Sequence, residues 1–392
     1  MTKQDLHQSK IEWSKSDRPR FTVPVNTPLF EGNEKQFLMK CIETGWISSE
    51  GPFVAQFESE FAKYVGREYG IALSNGTAAL EVAIKALDIK QGDEVILPTF
   101  SIISCAGAVF KSGAYPVLVD CEPSTWNMNL DEVEAKITPQ TKAILVVHTY
   151  GLPVDMERVQ NIADRHNLRI IEDAAEMHGQ EIRGRRCGSF GDLSVFSFYP
   201  NKHITTGEGG MVVTNCPKLA RRCAQARDLF FAPPRRFVHE ELGWNYRMTN
   251  MQAAIGVAQL ENIENAIRKK RKIGLYYHES LKDISSIEIP RQRTDFSDNI
   301  YWVFGIILGG KYSFDASFAI SELEKRGVGT RPFFWCVHEQ PVFRKMGFYK
   351  NEHYPVAENM ARRGFYLPSG LGLKPEEQEY VCGQVKSFFR AS

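Results

Sequence analysis

The pattern that most constrains the fold is a recurrence of short, continuous apolar runs rich in β-branched residues. These are "DEVILP", "YPVLVD", "KAILVVHTYG", "LRIIEDAA", "LSVFSFY" and "GMVVTN". Most are separated by segments with helical spacing, such as "PVDMERVQNIADRHN". A strand buried on both faces shows no polar alternation, and the intervening helices must cover those faces. The pattern implies an α/β architecture with a mostly parallel sheet. Upstream, "YGIALS" runs into "NGTAALEVAIKALDI", giving a strand, a tight turn and a helix. Ligands of such sheets bind at the carboxyl ends of the strands, so chemistry is sought just past each run.

Before this pattern, "EKQFLMKCIETG" and "FVAQFESEFAKYVG" read as helices joined by the loop "WISSEGP", with Gly45 a C-terminal stop. After it, "MQAAIGVAQLENIENAIRKKRKIGLYYHESL" reads as one long helical stretch leading to a second unit. There the strand "IYWVFGIIL" and the helices "SFDASFAISELEKRG" and "EEQEYVCGQVKSFFR" form a smaller α/β assembly. The expected division is a tail over residues 1–21, a large domain over 22–265 and a small C-terminal domain over 266–392.

A formal charge of +1 on 392 residues argues against a nucleic-acid binder that neutralises phosphates, and favours a small-molecule partner. The basic clusters "RKKRK" and "RGRR" read as solvated faces. The eight cysteines are scattered, with no C-x-x-C pair and no metal-ligand spacing, as expected of reduced thiols with no metal. No apolar run approaches the roughly 20 residues of a membrane span. A cytoplasmic protein without membrane contact is the expectation.

Three features fall just past strand-like runs. In "SNGTAAL", Gly76 and Thr77 open a helix, where unpaired N–H groups and a hydroxyl suit an anion such as phosphate; an ordinary helix cap fits the same residues. In "IIEDAAEMHG", Asp173 either caps a following helix or pairs with a protonated ring nitrogen. In "FSFYPNKHITTGEGG", Lys202 and His203 stand together on a glycine-bounded turn. A primary amine condenses with an aldehyde and an imidazole gives no such stable product, so covalent chemistry falls to Lys202. A phosphate site, an acid for a ring nitrogen and such a lysine together are what pyridoxal 5'-phosphate requires.

"NGTAAL", "EDAAE", "SFYPNKHITTGEGGMVVTN" and "NYRMTNMQAAIGVAQL" strongly resemble the DegT/DnrJ/EryC1/StrS family of sugar aminotransferases, over a stretch from about Thr22 to the C-terminus. Within it, "TGWISSEGPFV" and "TRPFFWCVHEQPVF" are most similar to the GDP-perosamine synthase branch. The resemblance implies a fold type I pyridoxal-phosphate transferase with a mostly parallel seven-stranded sheet. By position it implies that Lys202 bonds the cofactor, Asp173 partners the pyridine nitrogen and Glu176 neighbours the ring oxygen. Gly76, Thr77 and Ser197 would hold the phosphate, and Asn245 would reach the phosphate of a second subunit in a homodimer with shared sites. Trp46, Ser48, Arg331 and His338 would lie near the sugar nucleotide.

Two features depart from the family pattern. Ile102 stands where many relatives stack an aromatic ring on the cofactor. His203 aligns one place beyond the lysine, whereas some relatives replace the lysine itself by histidine and become 3-dehydratases. The implied reaction moves an amino group from glutamate to C4 of a nucleotide-linked 4-keto-6-deoxyhexose, with GDP-4-keto-6-deoxymannose as first choice. Alternatives are a dTDP- or UDP-linked keto sugar aminated at C4 or C3, and a non-catalytic sensor or scaffold of the same fold.

Overall fold

The computed structural model describes residues 22–231, 237–310 and 312–391, so the expected tail over residues 1–21 lies outside the described residues. In chain order the first strands are β1 (Tyr69–Leu73), β2 (Glu94–Pro98), β3 (Tyr115–Val119), β4 (Thr141–Val147) and β5 (Arg169–Asp173). They are followed by β6 (Glu181–Ile182), β7 (Arg185–Arg186), β8 (Leu193–Ser197) and β9 (Gly210–Thr214). Apart from the small β6–β7 hairpin they form one seven-stranded sheet in the order β1-β9-β8-β5-β4-β2-β3. Only β9 runs against its neighbours β1 and β8; the other pairings are parallel.

Side chains alternate across each strand, and both faces are buried. Leu145 and Val147 of β4 enter one apolar cluster with the helix Gly76–Ala86, while Ile144 and Val146 enter a second with the helix Pro52–Val65. In the latter helix Phe53, Phe57 and Phe61 repeat every four residues and so share one face. Phe57 and Phe61 are fully buried and meet Phe198 at ring distances of 4.9 and 5.2 Å. Burying such a ring is worth about 1.5–3 kcal/mol, and it anchors the chain leaving β8 toward Lys202. Gly66, at φ 79°, ends the helix in the left-handed conformation that a side chain disfavours.

A third cluster lies under an antiparallel sheet of β10 (Ile287–Glu288), β11 (Phe304–Leu308), β12 (Arg331–Pro332) and β13 (Gly364–Leu367), in the order β10-β11-β13-β12. The helices Ile263–Leu281, Ala316–Lys325 and Pro375–Ala391 contribute to it.

Two boundaries differ from the sequence reading. The long helix is two helices, Asn250–Glu261 and Ile263–Leu281, broken at Asn262 with φ −108° and ψ 10°. Asparagine is a weak helix former, and the Asn262 side chain packs so close to Gly32 that a Cβ there would lie 2.4 Å from Nδ2. In "IYWVFGIIL" the strand begins only at Phe304, because Tyr301 adopts φ 53° and its N–H donates to Asn299 Oδ1 at 2.7 Å. That turn sends Trp302 toward the large sheet.

Candidate active site

The carboxyl ends of β1, β2, β4, β5 and β8 meet at a cavity of about 300 Å³. Gly76, Thr77, Ile102, Asp173, Glu176, Ser197 and Lys202 all line it. A larger hollow of about 840 Å³ opens at the opposite edge, beside Thr141 and Arg169 at the starts of β4 and β5, and holds none of these residues.

One end of the cavity is polar. Asn75 caps the helix Gly76–Ala86 by accepting from Ala78 N–H at 2.8 Å, leaving the first-turn N–H groups of Gly76 and Thr77 ahead of the intrahelical bonds. A Cβ on Gly76 would lie 2.8 Å from Ser197 Cβ, so glycine is what lets the helix terminus approach that serine. Thr77 Oγ1 and Ser104 Oγ are 2.8 Å apart beside it.

The other end is ionic. Asp173, the last residue of β5, is buried; Oδ1 accepts from Ala175 N–H at 3.0 Å and Oδ2 from the Cys105 thiol at 3.3 Å. No helix follows Asp173 directly, so its carboxylate caps a turn. Burial pushes its pKa up, opposed by those two bonds and by Lys202. Burial likewise pushes Glu176 up, against the Lys202 charge and the Tyr150 N–H that donates to Oε2 at 2.7 Å. Lys202 moves the other way, its ammonium disfavoured by burial and supported by Glu176 and Asp173. Its Nζ lies 4.0 Å from the centroid of the Trp302 ring.

Beneath these groups sits a fully buried pair. His148 Nδ1 accepts from Val154 N–H at 3.0 Å, so Nε2 carries the proton toward Glu172 Oε1, 3.2 Å away. Glu172 also accepts from the N–H groups of Gly188 (2.6 Å) and Phe190 (2.9 Å) and from Ser194 Oγ (2.8 Å). Burial opposes its charge, but these partners outweigh burial and hold it down at about 2. The His148 ring lines the cavity in a fixed tautomer.

A family model for the DegT/DnrJ/EryC1/StrS aminotransferases matches residues 29–386. The chain belongs to that family. The GDP-perosamine synthase of Caulobacter vibrioides is 40% identical over 370 residues, covering 94% of this chain and 98% of that protein. The GDP-perosamine synthase of Escherichia coli O157:H7 is 39% identical over 367 residues, with coverage of 94% and 98%. The solved structure of DesV from S. venezuelae superposes with a TM-score of 0.84 at 32% identity, covering 91% of this chain and 94% of that one. As a family member the chain is a fold type I nucleotide-sugar aminotransferase dependent on pyridoxal phosphate.

The cavity fits that cofactor. A helix N-terminus with Thr77 and Ser197 hydroxyls suits a phosphate, the close approach at Gly76 leaves a cradle without a side chain, and a buried carboxylate and a lysine stand at the other end. Ile102 lines the cavity half exposed and offers it an aliphatic surface.

The remaining expected residues lie elsewhere. Asn245 is exposed and bridges to Asp228, while its neighbour Tyr246 accepts from Ser74 N–H at 2.7 Å. Trp46 and Ser48 are exposed on a loop whose carbonyls accept from the side chain and backbone of buried Asn250, at 2.7 and 2.8 Å. Arg331 is exposed and paired in register with Tyr366, which lines the cavity. His338 does not reach the cavity: it is buried, with Nδ1 2.8 Å from Thr99 Oγ1 and Nε2 donating to Glu358 Oε1 at 3.1 Å. Nδ1 thus fastens its loop to the exit of β2, and Nε2 fastens it to the helix Pro355–Arg363. Sequence reasoning passed over Cys105, His148, Trp302 and Tyr366. Of these only His148 follows a strand directly, and the run "KAILVVHTYG" hides that boundary. Among the described residues no helix is long and apolar enough to cross a membrane.

Proposed function

We propose that the chain transfers an amino group from glutamate to C4 of GDP-4-keto-6-deoxymannose, giving GDP-perosamine. The observation that carries this reading is the identity of about two residues in five, over nearly the whole chain, with two GDP-perosamine synthases. When bound, pyridoxal phosphate supplies an aldehyde for amine exchange and a ring that accepts electrons.

Lys202 Nζ would be the amine that holds that aldehyde and, when free, would carry the proton taken from the substrate carbon. Its depressed proton affinity suits a group that alternates between base and acid. Asp173 would hold the proton on the ring nitrogen, and Glu176 would neighbour the ring oxygen. Gly76, Thr77 and Ser197 would fix the phosphate, and Ile102 would cover one ring face. The exposed loops carrying Trp46, Ser48 and Arg331 select the sugar nucleotide. In a cytoplasmic homodimer, Asn245 serves the phosphate held by a second copy of the chain; its exposure beside the Ser74 turn supports this.

Substrate choice is tested by offering glutamate with the GDP-, dTDP- and UDP-linked 4-keto-6-deoxy sugars and identifying products by mass and NMR. The expected product is the 4-amino sugar from the GDP-linked substrate. Preference for another nucleotide, or a 3-amino product, would replace the proposal by the corresponding alternative.

The shared site is tested by mixing. A heterodimer of Lys202→Ala with Asn245→Ala carries both lesions in one site and neither in the other, so random pairing of equal amounts restores roughly one quarter of wild-type sites. Co-purified heterodimers no more active than the better parent would rule out an Asn245 that acts across the interface.

A further inference from the structure

The Lys202 ammonium rests on an aromatic face. Its Nζ is 4.0 Å from the Trp302 ring centroid, and among the described residues it makes no ion pair at contact distance. The indole is fixed on several sides. Its Nε1–H donates to Asn201 O at 2.9 Å, its backbone carbonyl accepts from the Lys270 ammonium at 2.6 Å, and Tyr150 and Tyr366 flank the ring at 5.8 and 6.5 Å. Lys270 is itself buried and also donates to Ser369 O at 2.6 Å, tying Trp302 to the end of β13. Trp302 is buried and cannot swing aside without breaking these contacts.

We propose that Trp302 is a positioning residue for Lys202: its ring face receives the ammonium whenever the amine is not bonded to the cofactor, and holds it charged and in place beside the cavity. The proposal rests on the reading of Lys202 as the cofactor-bonding lysine. A cation over an indole face, out of water, is attracted by the negative charge density of the ring. The other groups around the amine are Asp173, Glu176, Cys105, His148, His178, His203, Lys270 and Tyr366. The two carboxylates favour the charged amine, as the indole does. Burial holds His178 and His203 neutral, with His178 at about 3, and Lys270 opposes. Removing the indole face removes one support of the charge and therefore lowers the pH at which the amine gives up its proton.

The test uses the full-length chain freed of cofactor and measures the rate at which it captures pyridoxal 5'-phosphate across pH. Capture needs the unprotonated amine, which adds to the aldehyde with loss of water. Trp302→Leu is expected to lower the midpoint of this profile by roughly one pH unit. Below both midpoints it therefore captures up to about tenfold faster than wild type, where a merely structural loss would slow it. Trp302→Phe keeps a ring face and should stay near wild type, although it too loses the bond to Asn201.

Substituting the tryptophans with mono- to trifluorinated analogues keeps volume and the indole N–H while draining the ring face, and should lower the midpoint stepwise. Equal midpoints for wild type and Trp302→Leu, equal shifts for Leu and Phe, or no response to fluorination would overturn the proposal. Lys202→Ala should capture nothing covalently; if it captures like wild type, the reading of Lys202 has failed and this inference with it.

Discussion

Replacing Lys202 with alanine is expected to lower turnover by at least about 10⁴-fold while leaving the chain folded. The lysine is asked both to bond the cofactor and to move a proton, and general acid–base catalysis alone contributes about 10²–10⁴-fold. The fold survives because the turn is held by its backbone: Lys202 N–H donates to Tyr199 O at 2.9 Å, and Phe198 before it is packed on Phe57 and Phe61. The ammonium is the strongest influence opposing burial at Glu176, so without it that carboxyl takes up a proton more readily and leaves less charge stranded. Cofactor should still bind noncovalently through the cradle of Gly76, Thr77 and Ser197. The check is kcat, together with borohydride reduction of the loaded enzyme and peptide mapping. In wild type the label falls on the peptide containing Lys202, and turnover within tenfold of wild type in the variant would sink the assignment.

What made Lys202 and Asp173 legible is the geometry of a sheet buried on both faces. Its strands appear as continuous apolar runs, and a polar residue just past such a run points out of the sheet edge. The same rule applies to His148, which follows β4, but "KAILVVHTYG" reads as one run and hides where the strand stops. Glu172 carried a different signal. An acid embedded in "LRIIEDAA" has no water to face and must find partners, and it collects five.

Trp302 and Tyr366 were illegible because they enter the cavity from the smaller sheet. Their approach depends on the turn at Tyr301 and on how two cores meet, and neither leaves a local pattern. The break at Asn262 has the same origin, since it answers the close packing of Gly32 in a distant segment. His338 shows the converse. A histidine in a loop of the right composition reads as a ligand contact, yet Thr99 and Glu358, remote in sequence, occupy both of its nitrogens.

Asp173→Asn is expected to keep the fold and lower turnover by between about two and four orders of magnitude. Asparagine matches the volume, and its carbonyl oxygen can still accept the Ala175 N–H that Oδ1 now accepts at 3.0 Å. What disappears is the negative charge proposed to hold the proton on the ring nitrogen. Losing one partner of a buried charge pair costs about 3–5 kcal/mol, and each 1.36 kcal/mol in the barrier is a factor of ten. The effect on the chain without cofactor has the opposite sign. Burial raises the Asp173 pKa above its unfolded value, so the folded state binds the proton more tightly and wild-type stability falls as pH rises from the unfolded pKa through the folded one. The asparagine variant lacks this fall and should melt relatively higher once pH exceeds that window. A variant that turns over at the wild-type rate with an unchanged absorption of bound cofactor would remove Asp173 from the mechanism. A variant less stable than wild type at neutral pH without cofactor would show instead that the carboxylate is needed by the fold.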